Sequence, residues 1–373
     1  MNIAKLDYEA SLLSFREQAE RTSNEVTVAY WRFVQARKNL EIQQELVQET
    51  TETLRKVEGR RDIDATDVQV KQTQAYALSR EAALVELQKR VADAQDTLVR
   101  LIADSRINTT SELDIVPESE PQTPREMPEM AAATDRALAT ALQRNPVLQR
   151  AQLGIEVARI NVEVARNQKM PRLDLVGSTR ARGLAQDDSV ANEQVEDGDY
   201  MSYAVGLTFE YPWGNRQQHA EWMRRKFEHR KAISVLQGTA DQVAILVKES
   251  IRQIRSNLEQ LNVQRRAVEA AQIHLKTLDE AEQIRQQLTP EFLLVKLQAQ
   301  ETHAQARLAE TAALVDMNVA VAGLAQATGT TLDLRMVESS LTSLVPPLSD
   351  GDESQEKPDA RNLLPPLPRS PSL

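Results

Sequence analysis

The sequence predicts a mainly α protein: two long antiparallel coiled-coil helical hairpins in an internal repeat, interrupted by one amphipathic β-hairpin. Three observations predict this. Apolar residues recur at alternating three- and four-residue steps through both halves of the chain. The two halves align with one another. One stretch, YMSYAVGLTFEYPWGN at residues 200–215, alternates every second residue in the midst of helical sequence. Composition agrees, because the 373 residues are 27% charged and only 4% aromatic, with 11 glycines. Compact mixed cores lean on aromatics, and their turns on glycine.

The first hairpin occupies residues 1–104. Ala29, Phe33, Ala36, Leu40, Val47, Leu54 and Val57 form its seam, with Gln43 and Thr50 as polar interruptions. The sequence EGRRDIDATD at 58–67 breaks the pattern. A second seam then runs through Ala77, Leu84, Leu87, Val91, Ala94, Leu98 and Leu101, interrupted by Arg80. Two long helices joined by a short break fold back as an antiparallel pair. Residues 105–130 read as a linker, since Pro117, Pro121, Pro124 and Pro128 recur at a spacing no helix tolerates.

The second repeat spans 131–329. A short helix is expected over 130–143 and another over 146–169, with Asn145 as N-cap and Pro146 at its first position. A β-hairpin follows over 172–213. Its second strand sets Tyr203, Val205, Leu207, Phe209, Tyr211 and Trp213 on one face, and Ser202, Ala204, Gly206, Thr208 and Glu210 on the other. The segment between the strands is acidic and reads as an exposed loop. Helical sequence resumes at 215, with Ile251, Ile254, Leu258, Leu261, Val268 and Leu275 as its seam, breaks near QQLTP and ends near Gly329. The proline-rich tail, 330–373, is expected to be disordered.

The repeat has a measurable register. Residues 37–41, RKNLE, align with RSNLE at 255–259, an offset of 218; VKQTQ at 70–74 aligns with VKLQA at 295–299, an offset of 225. The two offsets differ by one heptad, and a whole heptad keeps a seam in phase. On this alignment residue 1 lies opposite His219, so the first repeat is expected to lack its beginning and Met1 to be internal to a longer reading frame. The N-terminal residues have neither the basic nor the apolar region of a signal peptide. No stretch is read as approaching the roughly 20 apolar residues of a membrane-spanning helix.

Taken in order, the helix opening NPVL, the strand PRLDL, the second strand ending VGLTFEYPWGNR, the long helix and helical hairpin, and AYW at 29–31 resemble the TolC-type outer-membrane efflux family. The resemblance implies a homotrimer whose strands join one outer-membrane barrel and whose helices form a periplasmic tunnel. It implies that Tyr203, Val205, Leu207, Phe209, Tyr211 and Trp213 face lipid, with aromatics near the interfaces. Arg180, Arg182 and Glu210 would then face the lumen, and Gly214 would turn the chain from barrel to tunnel. The hairpin ends would be periplasmic tips that meet the adaptor of an inner-membrane pump. At the first tip Arg60, Arg61, Asp62, Asp64 and Asp67 are candidates for a gate. Their alternative reading is a solvated loop with a helix cap at Asp64 or Thr66.

Other functions find little support. A net charge of −10 argues against a nucleic-acid partner. No cofactor or metal motif stands out, and His219, His229, His274 and His303 are scattered along helices. The competing readings are a periplasmic adaptor, a soluble coiled-coil scaffold, or a shortened, non-functional copy of an exit duct. The last arises because three copies of one strand pair supply fewer strands than the smallest bacterial barrels, which begin at about eight.

Overall fold

The computed structural model describes residues 2–61, 63, 65–102, 115–119, 121, 130–182, 195, 198, 201–211, 213–284 and 289–333. All fall within one compact unit, Met1–Leu334. Eight elements follow in order: α1 (Asn2–Gly59), α2 (Asp67–Ile102), α3 (Met130–Arg144), α4 (Pro146–Asn167), β1 (Arg172–Ala181), β2 (Met201–Glu210), α5 (Arg216–Ile284) and α6 (Pro290–Thr328). At 1.5 Å per residue, α1 and α5 extend for roughly 90 and 100 Å.

Local chemistry sets the helix ends. Thr66 and Gln69 form a capping box: the Thr66 hydroxyl accepts from the Gln69 amide at 3.3 Å, and the Gln69 side-chain oxygen accepts from the Thr66 amide at 2.6 Å. Thr66 is therefore the cap at the start of α2, while Asp64 lies outside the described residues. Asn145 caps α4 by accepting from the amides of Val147 and Leu148, with Pro146 in the first turn. Thr289 caps α6 in the same manner, ahead of Pro290. The strands are shorter than the alternation predicts, ending at Ala181 and Glu210, and α4 ends at Asn167, since element ends fray where pairing stops.

Parts of the expected seams are buried. Ala29 and Phe33 of α1 bury against Leu98, flanked by Val91, Ala94 and Leu101. Val243, Val247 and Ile251 of α5 close over Ala141 and Leu148. A second stripe on α1 escaped the heptad reading. Ile42 and Leu46 pack on Ala304 and Leu308 of α6, and Val57 packs with Ala65, Val70, Leu293 and Leu297. So α1 carries two apolar stripes, one toward its own hairpin partner and one toward the second hairpin.

The far end is pinned where α6 finishes. Gly329 takes a left-handed φ of +69° at the C-cap, and a Cβ there would lie 2.8 Å from the Arg144 carbonyl oxygen. Asn145 donates to the Ala327 carbonyl at 3.1 Å, and Arg16 donates to the Gly329 carbonyl at 3.1 Å. Thr331 and Leu332, which the sequence assigns to the tail, are buried beside this junction. One sequence expectation is corrected here. Pro290–Thr328 is long and apolar enough to cross a membrane by length and composition. Four of its apolar residues, Leu293, Leu297, Ala304 and Leu308, pack against residues of α1.

Candidate functional site

The β-hairpin is a single antiparallel pair in which Leu173 opposes Phe209, Leu175 opposes Leu207, Gly177 opposes Val205 and Thr179 opposes Tyr203. Directly opposed residues share a face of a sheet. One face therefore joins Leu173, Leu175, Tyr203, Val205, Leu207 and Phe209. The other joins Arg172, Asp174, Ser178 and Arg180 to Glu210, Thr208 and Ser202. Among the described residues no helix covers the apolar face: Val205 is 79% exposed, and Leu207, Phe209, Tyr203 and Tyr211 are comparably bare. A two-stranded ribbon is marginal in water unless something covers its apolar side. On the polar face Arg172 pairs with Asp174 at 2.7 Å and approaches Glu210 at 3.9 Å. Arg180 and, just past the strand, Arg182 are exposed.

At the foot of the ribbon the chain turns into α5. Gly214 and Asn215 both have positive φ, 79° and 33°. Trp213 is 93% exposed and meets Tyr211 edge to face, with ring centroids 6.2 Å apart. The Asn215 side chain donates to the Lys169 carbonyl at 2.9 Å, tying the start of α5 to the end of α4.

At the opposite end, the first hairpin tip brings Arg60, Arg61 and Asp67 together. Arg61 pairs with Asp67 at 2.6 Å, both well exposed, and the Arg60 carbonyl accepts from the amides of Ile63 and Ala65. Asp62 and Asp64 lie outside the described residues, as do 285–288 of the second tip. The tip also exposes Ile63 and Val68, an apolar pair that the charge-based reading passed over.

A buried polar layer above the tip is the main feature that the seams alone did not reveal. Arg80, 4% exposed, donates from Nη1 to the Thr50 hydroxyl and to Gln300 Oε1 at 3.2 Å, and from Nη2 to the Leu297 carbonyl at 2.7 Å. Its Nε lies 3.3 Å from the Glu301 carboxylate. Gln43 donates to the Arg80 carbonyl at 3.0 Å, and Gln300 donates to Thr53 at 3.3 Å. One guanidinium thus joins α1, α2 and α6. Burial lowers its pKa, and Glu301 works against that shift. Nearby, Lys296 pairs with Asp279 at 2.8 Å and with Glu282. Burial opposes the Lys296 ammonium, but the two carboxylates outweigh it and its pKa is raised. The sequence did signal this layer, as polar residues at Gln43, Thr50 and Arg80 where a seam should be apolar. It could not show that they converge.

The family model described as outer membrane efflux protein matches residues 137–330, from α3 to just beyond α6. The chain belongs to the outer membrane efflux protein family. Solved structures share its fold at low sequence identity. A membrane protein from Pseudomonas aeruginosa superposes with a TM-score of 0.72 at 17% identity, covering 87% of this chain and 72% of that one. The outer membrane protein VceC of Vibrio cholerae gives 0.69 at 18%, covering 88% and 74%. The open-state MtrE outer membrane channel of Neisseria gonorrhoeae gives 0.71 at 16%, covering 88% and 71%. No curated protein matches the chain by sequence. As an outer membrane efflux protein, the chain is placed in the outer membrane with its long helices reaching into the periplasm.

Proposed function

We propose that this outer membrane efflux protein is the passive exit duct of a multicomponent efflux or secretion system. The single observation that carries the reading is the bare apolar face of the strand pair, set between helical hairpins whose own apolar seams are closed. Exposed apolar surface of that kind needs a partner, and hydrocarbon supplies one. In this reading three copies assemble around a common pore. Tyr203, Val205, Leu207, Phe209, Tyr211 and Trp213 meet lipid, and Arg180, Arg182 and Glu210 face the water-filled lumen. The helical tips, with Arg60, Arg61, Asp62, Asp64 and Asp67, meet a periplasmic adaptor coupled to an inner-membrane pump. The duct breaks no bond; the pump drives solute through it. In a three-fold assembly each lumen-facing carboxylate becomes a ring of three, which favours cations.

The test is physical. The purified chain is expected to need detergent to stay monodisperse and to form ion-conducting trimers in planar bilayers. A chain that stays monomeric and monodisperse in plain buffer overturns the reading in favour of a soluble scaffold. At low salt, Asp62→Ala with Asp64→Ala is expected to lower the preference for cations several-fold; unchanged selectivity removes these two residues from the gate.

A further inference from the structure

Just below the ribbon two lysines share one indole. The ammonium of Lys169, at the end of α4, lies 4.0 Å from the centroid of the Trp222 ring, and that of Lys226 lies 4.6 Å from the same point. The indole Nε1 is buried and has no hydrogen-bond partner among the described residues. His219 meets the ring edge to face, with centroids 5.7 Å apart. Two like charges gathered on one ring repel each other, and among the described residues neither lysine has a carboxylate partner. Neighbouring basic residues differ in this respect: Arg224 and Arg225 are each paired with both Glu221 and Glu228.

Position narrows what answers that charge. Gln217, Gln218 and Glu221 line a groove of about 770 Å³ together with Arg172 and Glu210 of the ribbon's polar face and Leu173 of its apolar face. At 3.6 residues per turn, His219, Trp222 and Lys226 project about 125° around α5 from that set. The cluster of His219, Trp222 and Lys226 is therefore centred on a different side of α5 from Gln217 and Glu221. Trp222 lies six residues into α5, or about 9 Å along the axis from its start. Helical side chains lean toward the N-terminus, so Trp222 and Lys226 both lean back toward the ribbon's foot, where Tyr211 and Trp213 are bare. Headgroups occupy about 5–8 Å beyond each edge of the hydrocarbon. That is the level the two ammoniums reach.

We propose that Lys169 and Lys226, clamped on Trp222, bind the phosphate of an anionic phospholipid in the periplasmic-facing leaflet of the outer membrane. The site fixes the depth of the ribbon: Tyr211 and Trp213 mark the edge of the hydrocarbon, and the lysine pair grips the headgroups just outside it. This rests on the reading of the ribbon as a membrane stave. The full chain is diluted from detergent into vesicles of phosphatidylcholine alone or of phosphatidylcholine with phosphatidylglycerol, and partitioning is measured by flotation. Wild type is expected to favour the anionic vesicles. Lys169→Gln with Lys226→Gln is expected to reduce that preference by about fivefold per lysine, or about 25-fold together, and to leave uptake by the neutral vesicles unchanged. Lys169→Arg with Lys226→Arg is expected to retain the preference. A preference that survives the glutamine pair, or that wild type lacks, overturns the lysine site while uptake by neutral vesicles upholds the stave. Wild type that enters neither vesicle overturns the stave, and the lipid site with it. Helical circular dichroism of each variant checks the fold independently.

Discussion

The ribbon and the layer around Arg80 invert each other. In β1 and β2 the apolar side chains stand in the open, with Val205, Leu207 and Phe209 bare. Around Arg80 a guanidinium, two threonines and two glutamines sit in the interior. Both arrangements run against the usual sorting of side chains between core and surface. The difference lies in where each finds its partners. The polar layer finds its partners inside the chain, in Thr50, Leu297 and Gln300 as acceptors and in Glu301 as an ion pair. The apolar face is left exposed among the described residues. The duct proposed above needs both, because in that reading one end is solvated by lipid while the other holds two hairpins in register.

The largest expected effect comes from breaking the buried layer. Arg80→Ala leaves Thr50, Gln300 and the Leu297 carbonyl without their donor and is expected to cost about 3–5 kcal/mol of stability, read as a lower denaturation midpoint. Arg80→Met, which fills the space without a charge, is expected to cost much less. Equal losses in the two variants would mean that filled volume does not substitute for the guanidinium's hydrogen bonds.

Next in size is the reverse inversion. Leu207→Arg places a charge on the bare face and is expected to cost about 2–4 kcal/mol of membrane stability if the residue lies near the bilayer midplane. In a detergent-free membrane fraction it is expected to lower the amount of assembled protein. Thr208→Arg, on the opposite face, is expected to be tolerated. If both substitutions behave alike, the two faces of the ribbon are not distinguished by lipid.

The smallest effect sharpens the picture of the layer. Burial raises the pKa of Glu49, reinforced by Asp279 and Glu45 and opposed by Arg307 and Arg80. A carboxyl whose pKa is higher in the folded chain holds its proton more tightly there than in the unfolded chain. The folded state therefore gains stability as pH falls through the raised pKa toward the ordinary carboxylate range. Glu49→Gln is expected to raise the thermal midpoint slightly at neutral pH, with the gain shrinking as pH falls. A gain that stays constant across that window would place the effect elsewhere than the carboxylate.

How much of this was legible beforehand differs by region. The ribbon's two faces could be read directly, because strand alternation has a period of two and each residue's side follows from its number. The cap at Asn145 was equally legible, since a cap acts over three residues; that of α2 was narrowed to Asp64 or Thr66, and Thr289 was not read as a cap. The heptad seam of α1 was legible only in part. Ala29 and Phe33 fit it, but Ile42 and Leu46 serve a second partner, and one period cannot describe a helix with two neighbours. Arg80 was visible as an interruption and Lys296 was not, since nothing in its own segment records the carboxylates that reach it from α5. The indole shared by Lys169 and Lys226 was invisible, because α4 and α5 meet there only after the ribbon brings the chain back.

By itself, the sequence determined the helices, the cap at Asn145, the break at the first tip and a strand pair with one apolar face, because each depends on side chains within a few residues of one another. The tertiary structure alone decided that α1 lies between two hairpins, that Arg80 and Lys296 are buried with their partners, and that the apolar face of the ribbon is left uncovered. Those outcomes turn on contacts between separate elements, from Lys296 with Asp279 across the second tip to Arg80 with Leu297 and Gln300 in the other hairpin, and no local period records which segment will arrive.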